Sequence, residues 1–191
     1  MDDHLDRVFI DTSELFPFTI MDVMLTLSDE LIFTWVWTDE LLDEWEAVIV
    51  REGRRGLESA RSVANTARAH FASSLIGPAL YRDQITADLS PDPGDRAHVA
   101  ACLGGRATVL ITRNLKHYQS PKLAEHGVRV MTADDYLCEL LRQRPEAVTD
   151  SFIATANART RPPVTPDELA DRIAGAGAPT FAARVRRRLD G

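Results

Sequence analysis

The chain has 191 residues, 45% hydrophobic and 27% charged, an ordinary balance for one globular domain with at most a small appendage. Two cysteines, Cys102 and Cys138, make neither a disulfide framework nor a zinc knuckle, and a net charge of −7 argues against binding nucleic acid by broad phosphate neutralisation. The longest strongly apolar stretch, Leu31 to Trp37, is far short of a membrane span, and the start Met1-Asp2-Asp3-His4 is acidic where a signal peptide is basic, so a cytoplasmic protein without a membrane association is expected. Val8-Phe9-Ile10 reads as a buried strand that stops at Asp11-Thr12-Ser13. Ile20, Val23, Met24 and Leu27 form one helical stripe, and the aromatic and β-branched run from Phe33 to Val36 a second strand. Thr38 is a good N-cap for a helix carrying Leu41, Leu42, Trp45, Val48 and Ile49. Gly53 and Gly56 bracket a turn, and an Ala-rich helix runs from about Leu57 to Phe71.

A short strand is expected near Leu80. Asp92-Pro93-Gly94-Asp95 is expected to open a helix with Asp92 at the N-cap, Pro93 at N1 and Asp95 at N3, running to Gly104-Gly105. Thr108 to Ile111 is the clearest β run, followed by a short helix at Lys122 to Glu125 and a strand at Val128 to Met131. Thr132 caps the next helix, with Tyr136, Leu137, Leu140 and Leu141 on one stripe. This alternation predicts an α/β domain with a mostly parallel sheet over 1–143. From 144 to 191 the pattern is helical alone, Pro145 to Ala158, Pro166 to Ala174 and Thr180 to Leu189, the second opened by the capping box Thr165-Pro166-Asp167-Glu168. From Arg142 onward nine Arg face six acids, so the excess of carboxylate lies in the α/β part. The last helix, with Arg184, Arg186, Arg187 and Arg188, reads as packed on the body or on a partner, its arginines gripping phosphate or keeping it soluble.

Ligands of an open parallel sheet bind outside the carboxyl ends of its strands. Asp11 follows the first strand there, and Thr112-Arg113-Asn114 follows the strand Thr108 to Ile111. Glu44 lies beside the apolar stripe of its helix, while Asp92 and Asp95 sit at a helix start. Each acid alone has an ordinary explanation as a cap or boundary residue. Together at one edge they repel one another unless a cation sits among them. Hard oxygen donors with no His/Cys spacing for zinc point to Mg²⁺ or Mn²⁺. Such an ion polarises phosphate and lowers the pKa of water, which is phosphodiester hydrolysis chemistry. Ser13 has no matched base and reads as a turn residue. His98 reads as a core or boundary histidine, the tryptophans as core, and Cys102 and Cys138 as small buried hydrophobes.

The order of motifs resembles the PIN-domain family, which includes VapC-like toxins of bacterial type II toxin–antitoxin systems. The residues that carry it are Asp11-Thr12-Ser13, Leu41-Leu42-Asp43-Glu44-Trp45, Pro91 to Ala101, and Val109 to Tyr118. It covers roughly Val8 to Leu141 and is closest to longer members with a C-terminal helical extension. The resemblance implies a Rossmann-like α/β/α fold and a Mg²⁺- or Mn²⁺-dependent endoribonuclease. It places the family's first three acids on Asp11, Glu44 and Asp95, with Asp92 as a nearby metal helper, Asn114 as a catalytic polar group, and Thr112 and Ser13 supporting. The family's fourth acid falls on position 117, where this chain has His117, and imidazole suits Mn²⁺ better than Mg²⁺. The implied partners are a cognate antitoxin protein, a tRNA or mRNA substrate, and a second copy in a homodimer. An alternative is a PIN-like protein of weak or lost catalysis that acts by binding antitoxin or RNA. A phosphatase-like hydrolase with Asp11 as nucleophile ranks last, because Ser13 stands where its second acid belongs.

Overall fold

The computed structural model describes residues 5–118 and 121–190; the acidic start Met1 to His4 lies outside them. In chain order the elements are β1 (Arg7–Ile10), α1 (Thr12–Leu15), α2 (Phe18–Asp29), β2 (Thr34–Val36), α3 (Asp39–Arg51), α4 (Leu57–His70), α5 (Arg96–Gly104), β3 (Val109–Ile111), α6 (Pro121–Glu125), β4 (Arg129–Met131), α7 (Ala133–Gln143), α8 (Pro145–Asn157), α9 (Pro166–Ala176) and α10 (Pro179–Leu189). The four strands form one parallel sheet in the order β2-β1-β3-β4. Val8, Phe9 and Ile10 in β1 and Val109, Leu110 and Ile111 in β3 are fully buried, so both faces of the central strands are covered. That is why these strands read as unbroken apolar runs rather than as alternation.

The local signals at helix starts hold. Thr38 accepts the Leu41 N–H, Thr132 the Asp135 N–H, and Thr165 and Glu168 make the reciprocal capping box. The three tryptophans are core, with Trp45 donating to the Leu15 carbonyl at 3.0 Å and Trp37 to the Phe71 carbonyl at 2.9 Å. Two expectations fail. Near Leu80 the chain forms a 3-10 turn, Pro78 to Leu80, instead of a strand. Pro78 brings no N–H to a ladder and fixes φ, so this stretch cannot extend the sheet.

The helix expected to open at Asp92-Pro93 begins instead at Arg96. Asp92 closes a turn of its own by accepting the Gly94 N–H at 2.9 Å, and the Asp95 N–H donates to the Asp92 carbonyl. Asp95 is therefore the residue before the helix rather than N3, and its side chain makes no cap. Its carboxylate is left for other partners.

The C-terminal helices lie on the body. α8 and α9 pack on α2, and α10 packs on α7 and α9. Asp134 caps α10 by accepting the Thr180 and Phe181 N–H groups at 3.2 and 2.7 Å. Phe152 and Phe181 meet edge to face at 5.7 Å. Arg186 pairs with Asp171 and Arg188 with Glu146, so these two arginines bind the protein's own acids. α9 runs through Gly175 and stops at Gly177, whose φ of +117° only glycine adopts without strain. A Cβ at Gly177 would also come within 2.7 Å of the Arg113 guanidinium. This contact joins the helical region to the edge of the sheet. Among the described residues no helix is long and apolar enough to cross a membrane.

Candidate metal centre

Asp11 leaves β1 in extended backbone, and its N–H still donates to the Ile111 carbonyl of the neighbouring strand. The ladder thus fixes where the carboxylate stands. It is buried, and every face of it is occupied. Oδ2 accepts from Ser13 Oγ at 2.6 Å and Thr112 Oγ1 at 2.9 Å; Oδ1 accepts from the Tyr118 hydroxyl at 3.0 Å and lies 3.3 Å from His98 Nδ1. Burial alone raises a carboxyl pKa, but His98 and the Ser13 and Thr112 hydroxyls outweigh it and hold Asp11 at about 2. Asp11 is ionised at any physiological pH.

His98 lies on α5, three residues after Asp95, and is 4% exposed. Its Nδ1 faces Asp11 and its Nε2 faces Glu44 Oε2, each at 3.3 Å. Burial opposes charge on this ring, yet the two carboxylates raise its pKa to about 9. In the metal-free protein, then, an imidazolium is the counterion between Asp11 and Glu44.

Asp95 faces the same hydroxyl from the other side: Tyr118 is 3.2 Å from its Oδ1, and His117 Nδ1 is 3.0 Å from its Oδ2. Burial first and the Asp11 charge second push the Asp95 pKa up. Tyr118 keeps its proton, because burial and both aspartates drive its pKa far upward.

The cleft has a volume of about 320 Å³ and is lined by Asp11, Thr12, Ser13, Phe16, Glu44, Val48, Glu52, Asp95 and Asn114. Asp11, Glu44, Asp95, Asn114 and Ser13 therefore share one wall, in agreement with the sequence pattern. Thr112 is fully buried behind it, accepting the Asn114 N–H at 3.0 Å. Asp92 is not part of this lining. It stands on the outer side of Asp95, 3.7 Å from His117 Nδ1. A larger hollow of about 860 Å³ lies along α4, but it is open and acids do not converge on it.

Two groups have donor atoms close enough to share an ion: Asp11 with Asp95 and His98, and Asp92 with Asp95 and His117. The donor chemistry of the first fits a hard divalent cation, since Asp11 and Asp95 raise each other's energy and a cation would relieve that repulsion. Glu44, half-exposed at the rim, can turn toward the same point.

Two members of this site escape a reading of the sequence. His98 sits on a helix whose pattern points to the core, and its spacing of three from Asp95 on one helix face is the available signal. Tyr118 carries no signal of its own. Its place depends on β3 and the following turn bringing it back over β1, which no local pattern encodes.

Comparison with protein-family models gives a match to the PIN domain over residues 7–116 and to the VapC50 C-terminal domain over residues 133–187. A curated protein of Mycobacterium tuberculosis named "Putative ribonuclease VapC50" is 35% identical over 107 residues, 56% of this chain. The match spans 62% of that relative's length. No solved structure matches significantly.

Proposed function

The chain belongs to the PIN-domain family, and from that premise we propose that it is a divalent-metal-dependent endoribonuclease, the toxin of a type II toxin–antitoxin pair. The observation that carries this reading is the buried, permanently ionised Asp11 facing Glu44 and Asp95 across one cleft. Asp11, Glu44 and Asp95 hold Mg²⁺ or Mn²⁺. When bound, the ion neutralises phosphate charge and makes water a better nucleophile.

The protein's own groups orient and hold. Ser13 and Thr112 fix the Asp11 carboxylate by donating to Oδ2. The Tyr118 hydroxyl sits between Asp11 and Asp95 and sets their separation. Asn114 lies at the cleft wall, where its amide orients the phosphodiester. Asp92 and His117 form an outer position that favours Mn²⁺ over Mg²⁺, since one donor is imidazole.

The substrate is single-stranded or loop RNA, a tRNA or an mRNA, because its bases can be splayed beside a narrow cleft. A cognate antitoxin inhibits by filling the acidic cleft, with an arginine supplying the charge of the ion. We further propose a cytoplasmic homodimer, a nuclease domain over 1–143 and a helical extension over 144–191. The likeness of residues 133–187 to a VapC50 C-terminal domain supports the last point in outline.

The test is cleavage of a pool of tRNA and mRNA with Mn²⁺ or Mg²⁺, with Asp11→Asn as control. Discrete metal-dependent cuts absent from the variant are expected. No cleavage by folded, antitoxin-free protein in either ion would overturn the nuclease reading and favour a protein that acts by binding, with His117 as the reason.

A further inference from the structure

We propose that a hollow beside the acid cleft is a phosphate subsite for the RNA strand, built by Arg54 and Arg113 around Phe16 and walled by the C-terminal helical region. The inference rests on the ribonuclease reading and adds where the substrate's backbone goes.

The hollow has a volume of about 290 Å³, with Phe16, Arg54, Arg113, Gly175 and Ala176 in its wall. Phe16 also lines the acid cleft, so the two spaces adjoin across one aromatic ring. They differ in charge. The cleft lining carries four carboxylates and no Lys or Arg, whereas the hollow carries two guanidiniums and no carboxylate. A polyanion whose scissile phosphate sits in the cleft has its other phosphates repelled by Glu44 and Glu52, and meets fixed positive charge on crossing Phe16.

Both arginines have donors to spare. Arg54 follows the turn at Gly53, lies 5.5 Å from the Phe16 ring centroid, and makes no ion pair among the described residues. Arg113 is anchored: its Nε donates to the buried Glu14 at 2.9 Å, and one terminal nitrogen donates to the Ala176 carbonyl. A guanidinium has five N–H donors, so this leaves three for a ligand. Its backbone N–H donates to Ser13 Oγ at 3.2 Å, and that hydroxyl holds Asp11. The anchored arginine is thus placed by the same contacts that place the first acid. Phe16 between the two spaces offers a face for a base, and Arg54 above it adds a cation.

α9 contributes the outer wall through Gly175 and Ala176. The carbonyl end of a helix repels phosphate. Here Arg113 covers the Ala176 carbonyl and reverses the local sign. The helical region therefore takes part in binding substrate.

The experiment uses the full chain, metal-free in EDTA, and a short fluorescein-labelled single-stranded RNA followed by anisotropy across a salt series. Arg54→Ala is chosen because Arg54 supports no buried partner, with Arg187→Ala as a control of equal charge on α10. Arg54→Ala is expected to weaken binding severalfold and to reduce the slope of log K on log salt by about 0.7, one phosphate contact on a single strand. Arg187→Ala is expected to leave the slope unchanged. The subsite is overturned if wild type cleaves RNA with Mn²⁺ but Arg54→Ala keeps the wild-type slope, or if wild type binds no RNA without metal. It is also overturned if Arg54→Ala loses affinity for polyglutamate while RNA binding stays intact, which would mark the hollow as a seat for an acidic protein. Wild type that neither binds nor cleaves RNA would instead remove the ribonuclease reading itself.

Discussion

Asp11→Asn is expected to abolish the stabilisation that Mn²⁺ or Mg²⁺ gives the wild-type protein. An ion that binds the native state alone stabilises by about 2.7 kcal/mol at one hundred times its dissociation constant. For a chain of this size that raises the melting temperature by roughly 5–10 °C. Asp11 is the one buried acid of the cleft, ionised through its contacts with His98, Ser13 and Thr112. Asparagine keeps the shape and can still meet the hydroxyls, but it removes the charge. Losing a ligand should cost more than the roughly 10- to 100-fold in affinity typical of outer-sphere changes. Thermal melts with and without metal read this directly. Equal shifts in wild type and variant would place the ion elsewhere.

His98→Leu is expected to have the largest effect on stability, about 3 kcal/mol at pH 6 in EDTA. Removing one partner of a buried ion pair leaves an uncompensated charge and costs about 3–5 kcal/mol. Glu44, half-exposed, takes the lower share of that loss while Asp11 takes the greater. The pH dependence has a definite sign. His98 binds its proton more tightly folded, with a pKa of about 9 against 6.5. Its contribution is therefore complete below pH 6.5 and is lost as pH rises through 9. The stability gap between wild type and variant should close over that window. Saturating Mn²⁺ should also narrow it, because the ion offers Asp11 and Glu44 another positive partner. A gap that stays constant from pH 6 to 10 would mean that His98 acts by packing alone.

Much of this architecture is legible in the sequence because it is encoded locally. The run Val8-Phe9-Ile10 marks the central strand, and Thr38, Thr132 and Thr165 mark helix starts by a hydroxyl placed to meet an orphan N–H. The acids Asp11, Glu44 and Asp95 can be singled out because the carboxyl edge of a parallel sheet gathers the loops and helix starts that come after its strands. Where several local roles compete, the sequence misleads. Asp92 and Asp95 both look like caps, yet the Pro93-Gly94 turn uses Asp92 for itself and leaves Asp95 facing the cleft. Leu80 looks like a strand residue, and Pro78 prevents it. His98, Tyr118 and the grip of Arg113 on Ala176 are invisible, since each depends on segments far apart in the chain meeting at one point.

The most direct measurement of the central claim is anomalous diffraction from crystals grown with Mn²⁺. The account predicts a peak at the cleft, with carboxylate oxygens of Asp11, Glu44 and Asp95 at ordinary coordination distances of about 2 Å. Crystals saturated with Mn²⁺ that show no peak there, or only one beside Asp92 and His117, would contradict it.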